Sequence, residues 1–121
     1  MNTDQSLGQH LIIDFAGARY LTDVEKIEFA LKSAAQVAGA VLLDTKVHRF
    51  PHSDGVTGIA VLAGSHISVH TWPEHNYIAL DIFMCGESNP NRALEWLKDY
   101  FQPTSTKTQL LERSLPDNKQ G

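Results

Sequence analysis

The residues of this chain best suited to chemistry crowd into one stretch, Gly64 to Gly86. It holds Ser65, His66, Ser68, His70, Asp81 and Cys85, the last being the only cysteine of the sequence. Ser65–Trp72 and Tyr77–Cys85 read as two strands, and Pro73-Glu74-His75-Asn76 between them as a turn. With those turn residues at the tip, Trp72 faces Tyr77. The pairing then predicts His70 opposite Ala79, Ser68 opposite Asp81, His66 opposite Phe83 and Gly64 opposite Cys85. Side chains alternate between faces along a strand. One face carries Ile67, Val69, Ile78, Leu80, Ile82 and Met84 and is expected to meet the core. The other carries His66, Ser68, His70, Asp81, Phe83 and Cys85.

Three chemistries fit the second face. His66, His70 and Asp81 are metal-ligand types, although His66 and His70 need a third close ligand to complete a site. Cys85 and His70 are the pair of a thiol hydrolase, yet they lie far apart along the hairpin. Ser65 follows a glycine, and a Gly–Ser bond suits an N→O acyl shift, because Gly64 lacks a Cβ and tolerates strained backbone geometry. A plain polar surface with a stray thiol is the fourth reading. The residue types alone leave all four open.

The elements that must position this hairpin follow from the flanking sequence. His10–Phe15 is a short apolar run expected as a strand. Thr22 to Ala40 is expected as a helix, with Thr22 and Glu25 as a capping box, Val24, Ile27, Leu31, Ala34, Ala35 and Ala38 at helical spacing, and Gly39 at its end. Val41–Phe50 and Gly58–Ala63 are strand candidates around a turn-rich Pro51–Gly55 loop. Asn89 and Pro90 start a second helix that runs to about Phe101. A last strand is expected around Gln109–Glu112, and the polar segment 114–121 as a disordered tail. The order β-α-β-β-β-β-α-β predicts an α+β fold: a two-layer α/β sandwich with a mostly antiparallel sheet and two helices on one face.

Composition removes several function classes. At 121 residues the chain is one domain, assigned to 1–113, and its 42% hydrophobic content suits a modest core. A formal charge of −4 with no basic run argues against nucleic acid as a partner. No apolar run nears the roughly 20 residues that cross a bilayer, and Met1–Gln9 lacks the pattern of a secretion signal, so no membrane partner and a cytoplasmic location are expected.

Ser65-His66-Ile67-Ser68-Val69-His70-Thr71-Trp72-Pro73-Glu74 resembles the signature of the prokaryotic S-adenosylmethionine decarboxylases. The resemblance continues in Leu7–Leu11, in His48-Arg49-Phe50, in Gly55–Gly58 and in Ala79–Gly86, and so covers roughly residues 7 to 101. It implies a self-cleaving proenzyme of polyamine (spermidine) biosynthesis. Ser65 attacks the carbonyl of Gly64, and elimination from the resulting ester leaves a covalent pyruvoyl group on the large chain from residue 65, with 1–64 as the small chain. The substrate amine condenses with that ketone, whose conjugated carbonyl then accepts the electron pair released with CO₂. No external cofactor and no metal are implied. His70 corresponds to the histidine that moves a proton during cleavage, and Thr57 stands where a serine assists it. Cys85 corresponds to the cysteine that returns a proton to the substrate. Glu74 corresponds to a carboxylate that holds ribose hydroxyls. Phe50 corresponds to an aromatic that stacks on adenine, with one extra residue between it and Ser65. The hairpin register independently puts Cys85 beside residues 64 and 65.

One residue departs from that pattern, since the family usually carries Glu where Gly64 stands. Losing a charged acceptor there would weaken a grip on ribose. Besides S-adenosylmethionine, arginine or ornithine is therefore a candidate substrate, and a non-processing homologue with a binding or regulatory role is a further alternative. The resemblance also implies a homodimer in which two sheets pair into an α/β/β/α sandwich, with His70 and Glu74 acting on the partner's Ser65.

Overall fold

A computed structural model describes residues 6–116 of the chain. In order these form β1 (Ser6–Ala16), α1 (Val24–Val37), β2 (Leu42–Arg49), β3 (Val56–Leu62), β4 (Ser65–Trp72), a 3₁₀ turn (Pro73–His75), β5 (Tyr77–Cys85), α2 (Pro90–Phe101) and β6 (Ser105–Ser114). The six strands make one sheet in the order β2-β3-β4-β5-β1-β6, every neighbouring pair antiparallel. The expected α+β sandwich is therefore present, with a sheet that is wholly rather than mostly antiparallel.

The hairpin adopts the register expected from its turn. Trp72 pairs with Tyr77, His70 with Ala79, Ser68 with Asp81 and His66 with Phe83. Asn76 makes this possible by taking the left-handed conformation, φ 52°, that closes the 3₁₀ turn. Ile67, Val69, Ile78, Leu80, Ile82 and Met84 are all buried beneath the helices. Thr71 is buried among them with its hydroxyl satisfied, accepting from Val56 N at 2.8 Å and donating to Leu21 O at 2.7 Å.

The boundaries differ from the sequence expectation in identifiable ways. The first helix is capped by Asp23, not Thr22. Asp23 is extended and its carboxylate accepts from Lys26 N at 3.1 Å, a stronger cap than a threonine hydroxyl one residue earlier. The helix ends at Val37, followed by Ala38 and by Gly39 at φ +80°. The second helix starts as expected, with the Asn89 side chain accepting from Asn91 N and Arg92 N. The first strand reaches back to Ser6, and the last runs from Ser105 to Ser114 rather than over Gln109–Glu112 alone. Ser114 thus belongs to the sheet. Of the expected tail, residues 117–121 lie outside the described residues.

One face of the sheet packs on α1 and α2 through a single core. Among the described residues, no layer covers the other face. Register defines its rows: Asp44, Val61, His66, Phe83, His10 and Leu111 form one, and Lys46, Ile59, Ser68, Asp81, Ile12 and Gln109 the next. Lys46, Lys107 and Arg113 occur on this face, on the two edge strands, and the Arg113 guanidinium reaches inward to 5.9 Å from the centre of the Phe83 ring. Ile12, Ile59, Val61 and Leu111 are 37–41% exposed there.

Candidate active site

The turn between β3 and β4 gathers the reactive groups. Leu62 pairs with Ser65, so Ala63 and Gly64 form a tight two-residue connection. Gly64 sits at φ +71°, in the left-handed region that glycine enters without penalty. The Cys85 thiol donates to the Gly64 carbonyl oxygen at 3.2 Å. Ser65 Oγ lies 3.7 Å from Cys85 Sγ and 3.5 Å from the Ala63 carbonyl. The Cys85 thiol thus touches both the Ser65 hydroxyl and the Gly64 carbonyl that the sequence pairing places beside it. A cavity of about 340 Å³ opens beside Cys85, lined by Gly8, Gln9, Met84 and Gly86 among others.

Gly64 is fitted to this arrangement. A Cβ at that position would lie 3.0 Å from Cys85 Sγ, in addition to the left-handed φ. In an uncut Ser65→Ala background, adding Gly64→Ala is expected to lower stability by about 1–2 kcal/mol, the cost of a left-handed non-glycine residue. A chain already open at 64–65 no longer enforces that φ, so there the substitution should be nearly neutral. Denaturant titration of both forms measures the difference.

A second group of site residues collects at the opposite end of the open face. Thr57 Oγ1 lies 3.3 Å from His70 Nδ1 across the β3–β4 pairing. Glu74 is in the 3₁₀ turn just beyond. Phe50 meets Trp72 edge-on with centroids 6.5 Å apart, and Trp72 stacks on Tyr77 at 5.6 Å. Five strand positions separate His70 from Ser65, or about 17 Å at 3.3–3.4 Å per residue. The expected site residues therefore form two clusters in one protomer, Gly64/Ser65/Cys85 and Phe50/Thr57/His70/Glu74.

Between the two lies a cluster only half anticipated. Asp81 accepts from Ser68 Oγ, from His10 Nε2 at 2.6 Å and from His66 Nε2 at 3.1 Å. Burial pushes the Asp81 carboxyl up, but the hydrogen bonds from Ser68, His10 and His66 together outweigh it and hold the group below the ordinary aspartate value. The metal option named His66, His70 and Asp81. His70 is instead tied to Thr57, and His10 takes its place, with the ligand-type atoms of His10, His66 and Asp81 within 4.8 Å of one another. The hairpin pattern alone does not place His10, because it sits on β1. Alternation along His10–Phe15 gives it a face, but only the long-range β1–β5 pairing brings it to Asp81. Further along Tyr77–Cys85, the Tyr77 hydroxyl donates to Asp14 at 2.5 Å, and that bond, with burial, pushes Tyr77 up to about 12.

Comparison with known proteins points to one family. Residues 9–114 match the family model described as S-adenosylmethionine decarboxylase. The chain is 37% identical to an S-adenosylmethionine decarboxylase proenzyme of Thermomicrobium roseum over 92% of this chain and 97% of that one. It is 44% identical to the protein of the same name from Methanococcus aeolicus over 80% and 85% of the two chains. Among solved structures, an adenosylmethionine decarboxylase from Aquifex aeolicus superposes with a TM-score of 0.82 at 31% identity, covering 93% of this chain and 95% of that one.

Proposed function

Because the chain belongs to the S-adenosylmethionine decarboxylase family, we propose that it is a proenzyme that cuts itself at Gly64–Ser65 and then decarboxylates S-adenosylmethionine for polyamine biosynthesis. The observation that carries the reading is the Cys85 thiol in contact with both Ser65 Oγ and the Gly64 carbonyl oxygen, at a turn whose left-handed φ suits glycine.

Each group has a role there. Ser65 Oγ gives up its proton and attacks the Gly64 carbonyl carbon. The Cys85 S–H, already aimed at that carbonyl oxygen, stabilises the charge that develops on it. The peptide C–N bond breaks, the Ser65 nitrogen taking up the proton that Oγ gave, and an ester to Ser65 Oγ forms. Removal of the Ser65 Cα proton then expels the small chain as the Gly64 carboxylate, and hydrolysis releases ammonia. The pyruvoyl ketone left at residue 65 supplies the electron-accepting carbonyl for decarboxylation, as the family requires. After the cut, the Cys85 thiol remains next to residue 65, where a proton must be returned to the substrate carbon. The cavity beside Cys85 gives a substrate room to reach it. Glu74 and Phe50, which lie at the His70 end of the sheet, are assigned to the nucleoside end of a substrate held at residue 65 of the other protomer.

His70 and Thr57 are assigned to the proton removal, but from a second copy. Within one protomer they are too far from Ser65. A homodimer whose two-fold axis lies between the sheets and runs across the strands lays the His70 end of one sheet over the Ser65 end of the other. The uncovered, partly apolar face supports this pairing. A cytoplasmic location fits a reaction that depends on a reduced thiol at Cys85, and no helix of the described residues is long and apolar enough to cross a membrane.

The test follows purified protein by intact mass and by CO₂ release from carboxyl-labelled S-adenosylmethionine, arginine and ornithine. Two fragments split at 64–65 and turnover of S-adenosylmethionine alone are expected. A chain that stays whole, or that prefers arginine or ornithine, overturns the reading. Cys85→Ala should slow cleavage by about tenfold, less than a full oxyanion donor is worth, and decarboxylation by about 10²–10⁴-fold, the range of a lost general acid.

A further inference from the structure

A carboxylate grips β4 one residue from the cut, and none of the steps above uses it. Breaking Gly64–Ser65 removes one of the two covalent tethers of Ser65. What remains is its link to His66 and its pairing with Leu62, while pairing with β5 begins only at His66, opposite Phe83. His66, the first residue of β4 paired on both sides, is therefore the nearest doubly held point to the new ketone.

We infer that Asp81 and His66 are positioning residues for decarboxylation, Asp81 holding the His66 ring and with it the freed end of β4. The inference rests on the cleavage at Gly64–Ser65 proposed above. The ring is fixed on three sides. Its Nε2 meets Asp81 at 3.1 Å, Phe83 lies beside it with centroids 6.1 Å apart, and His10 meets it edge-on at 5.7 Å. Asp81 is anchored in turn by Ser68 and His10. His10 Nδ1 lies 3.3 Å from Arg113 Nη1. Arginine can only donate, so His10 Nδ1 accepts and its proton sits on Nε2, directed at Asp81. The chain Arg113→His10→Asp81←His66 joins β6, β1, β5 and β4, four strands braced on the residue next to the one that carries the reactive group.

Hydrogen bonding accounts for this cluster better than a metal ion does. An ion would need the His10 Nε2 lone pair, which the tautomer assigned above does not offer. The Arg113 guanidinium behind the ring adds a fixed positive charge.

Two substitutions separate the hydrogen bond from the packing. His66→Gln can still donate to Asp81, while His66→Phe keeps a ring beside Phe83 and cannot donate. For each, intact mass gives the cut fraction, phenylhydrazine titrates the ketone, amide exchange over 66–72 reports the hold on β4, and kcat is taken per ketone. Both variants are expected to cut. His66→Phe should lose about tenfold to a hundredfold in kcat, the effect of a misplaced reacting group, with faster exchange at the start of β4. His66→Gln should stay within about threefold of the parent, because one hydrogen bond is kept. Wild-type turnover per ketone in His66→Phe overturns the inference. So does a folded His66→Phe that remains uncut, which would assign the pair to cleavage. If His66→Phe does not fold, Asp81→Asn carries the same expectation and the same two overturning results. A parent chain that never cuts is a failure of the proposed function, seen before any variant is compared.

Discussion

Ser65→Ala is expected to leave a single 13.4 kDa polypeptide and no decarboxylase activity. The hydroxyl is the one group that can both attack the Gly64 carbonyl and become the leaving position for the small chain. The backbone around it changes little on substitution. Ser65 is the first residue of β4, its neighbours His66 and Ile67 are held by ladders on both sides, and its Oγ makes only the long 3.5 Å and 3.7 Å contacts. The protein should therefore fold with its sheet intact and Cys85 still against Gly64, yet release no fragment on prolonged incubation. Loss of activity by more than about 10³-fold is expected, since the residue is the precursor of the reactive group itself. Intact mass and circular dichroism on one sample check both halves. A cut Ser65→Ala chain would show that cleavage does not run through this hydroxyl.

The hairpin that carries this serine was legible because its information is local. A turn bounded by Trp72 and Tyr77, with Asn76 able to adopt a left-handed conformation, fixes the register. Period-2 alternation then sorts every side chain to a face. What escaped depends on partners distant in sequence. Ser105–Ser114 is nearly all exposed and polar, and it is a strand because β1 offers it a full-length edge to pair with. His10 and Arg113 join Asp81 only through that same arrangement of β6, β1 and β5. At the first helix, two adjacent residues could each cap, and the choice of Asp23 over Thr22 is decided by which side chain reaches Lys26 N. The spacing between Ser65 and His70 was plain in the numbering. Its consequence, that one protomer holds them about 17 Å apart, follows from reading Ser65–Trp72 as a single extended strand, which the structure bears out.

That separation makes a mixing experiment the sharpest test of the assembly. Neither a Ser65→Ala chain nor a His70→Ala chain should cut alone: the first lacks the proposed nucleophile, the second the histidine proposed to take the Cα proton. Co-expressed, they should form heterodimers in which the intact Ser65 of the His70→Ala chain lies against the His70 of its partner. The His70→Ala chain should then be cut and the Ser65→Ala chain should not. With equal amounts and random, non-exchanging pairing, half of all chains sit in heterodimers, so cleavage should plateau near about half of the His70→Ala chains. The orientation of the two-fold axis decides this result. An axis across the strands joins unlike ends of the two sheets, whereas an axis along the strands would set Ser65 near the partner's Ser65 and leave both His70 side chains remote. A chain carrying both substitutions supplies the control, because pairing it with the parent chain should suppress cleavage of the parent. Mass spectrometry distinguishes the chains by their substitutions. Cleavage of His70→Ala alone at the parent rate would remove His70 from the reaction, and a mixture that stays uncut would rule out a site shared in this way.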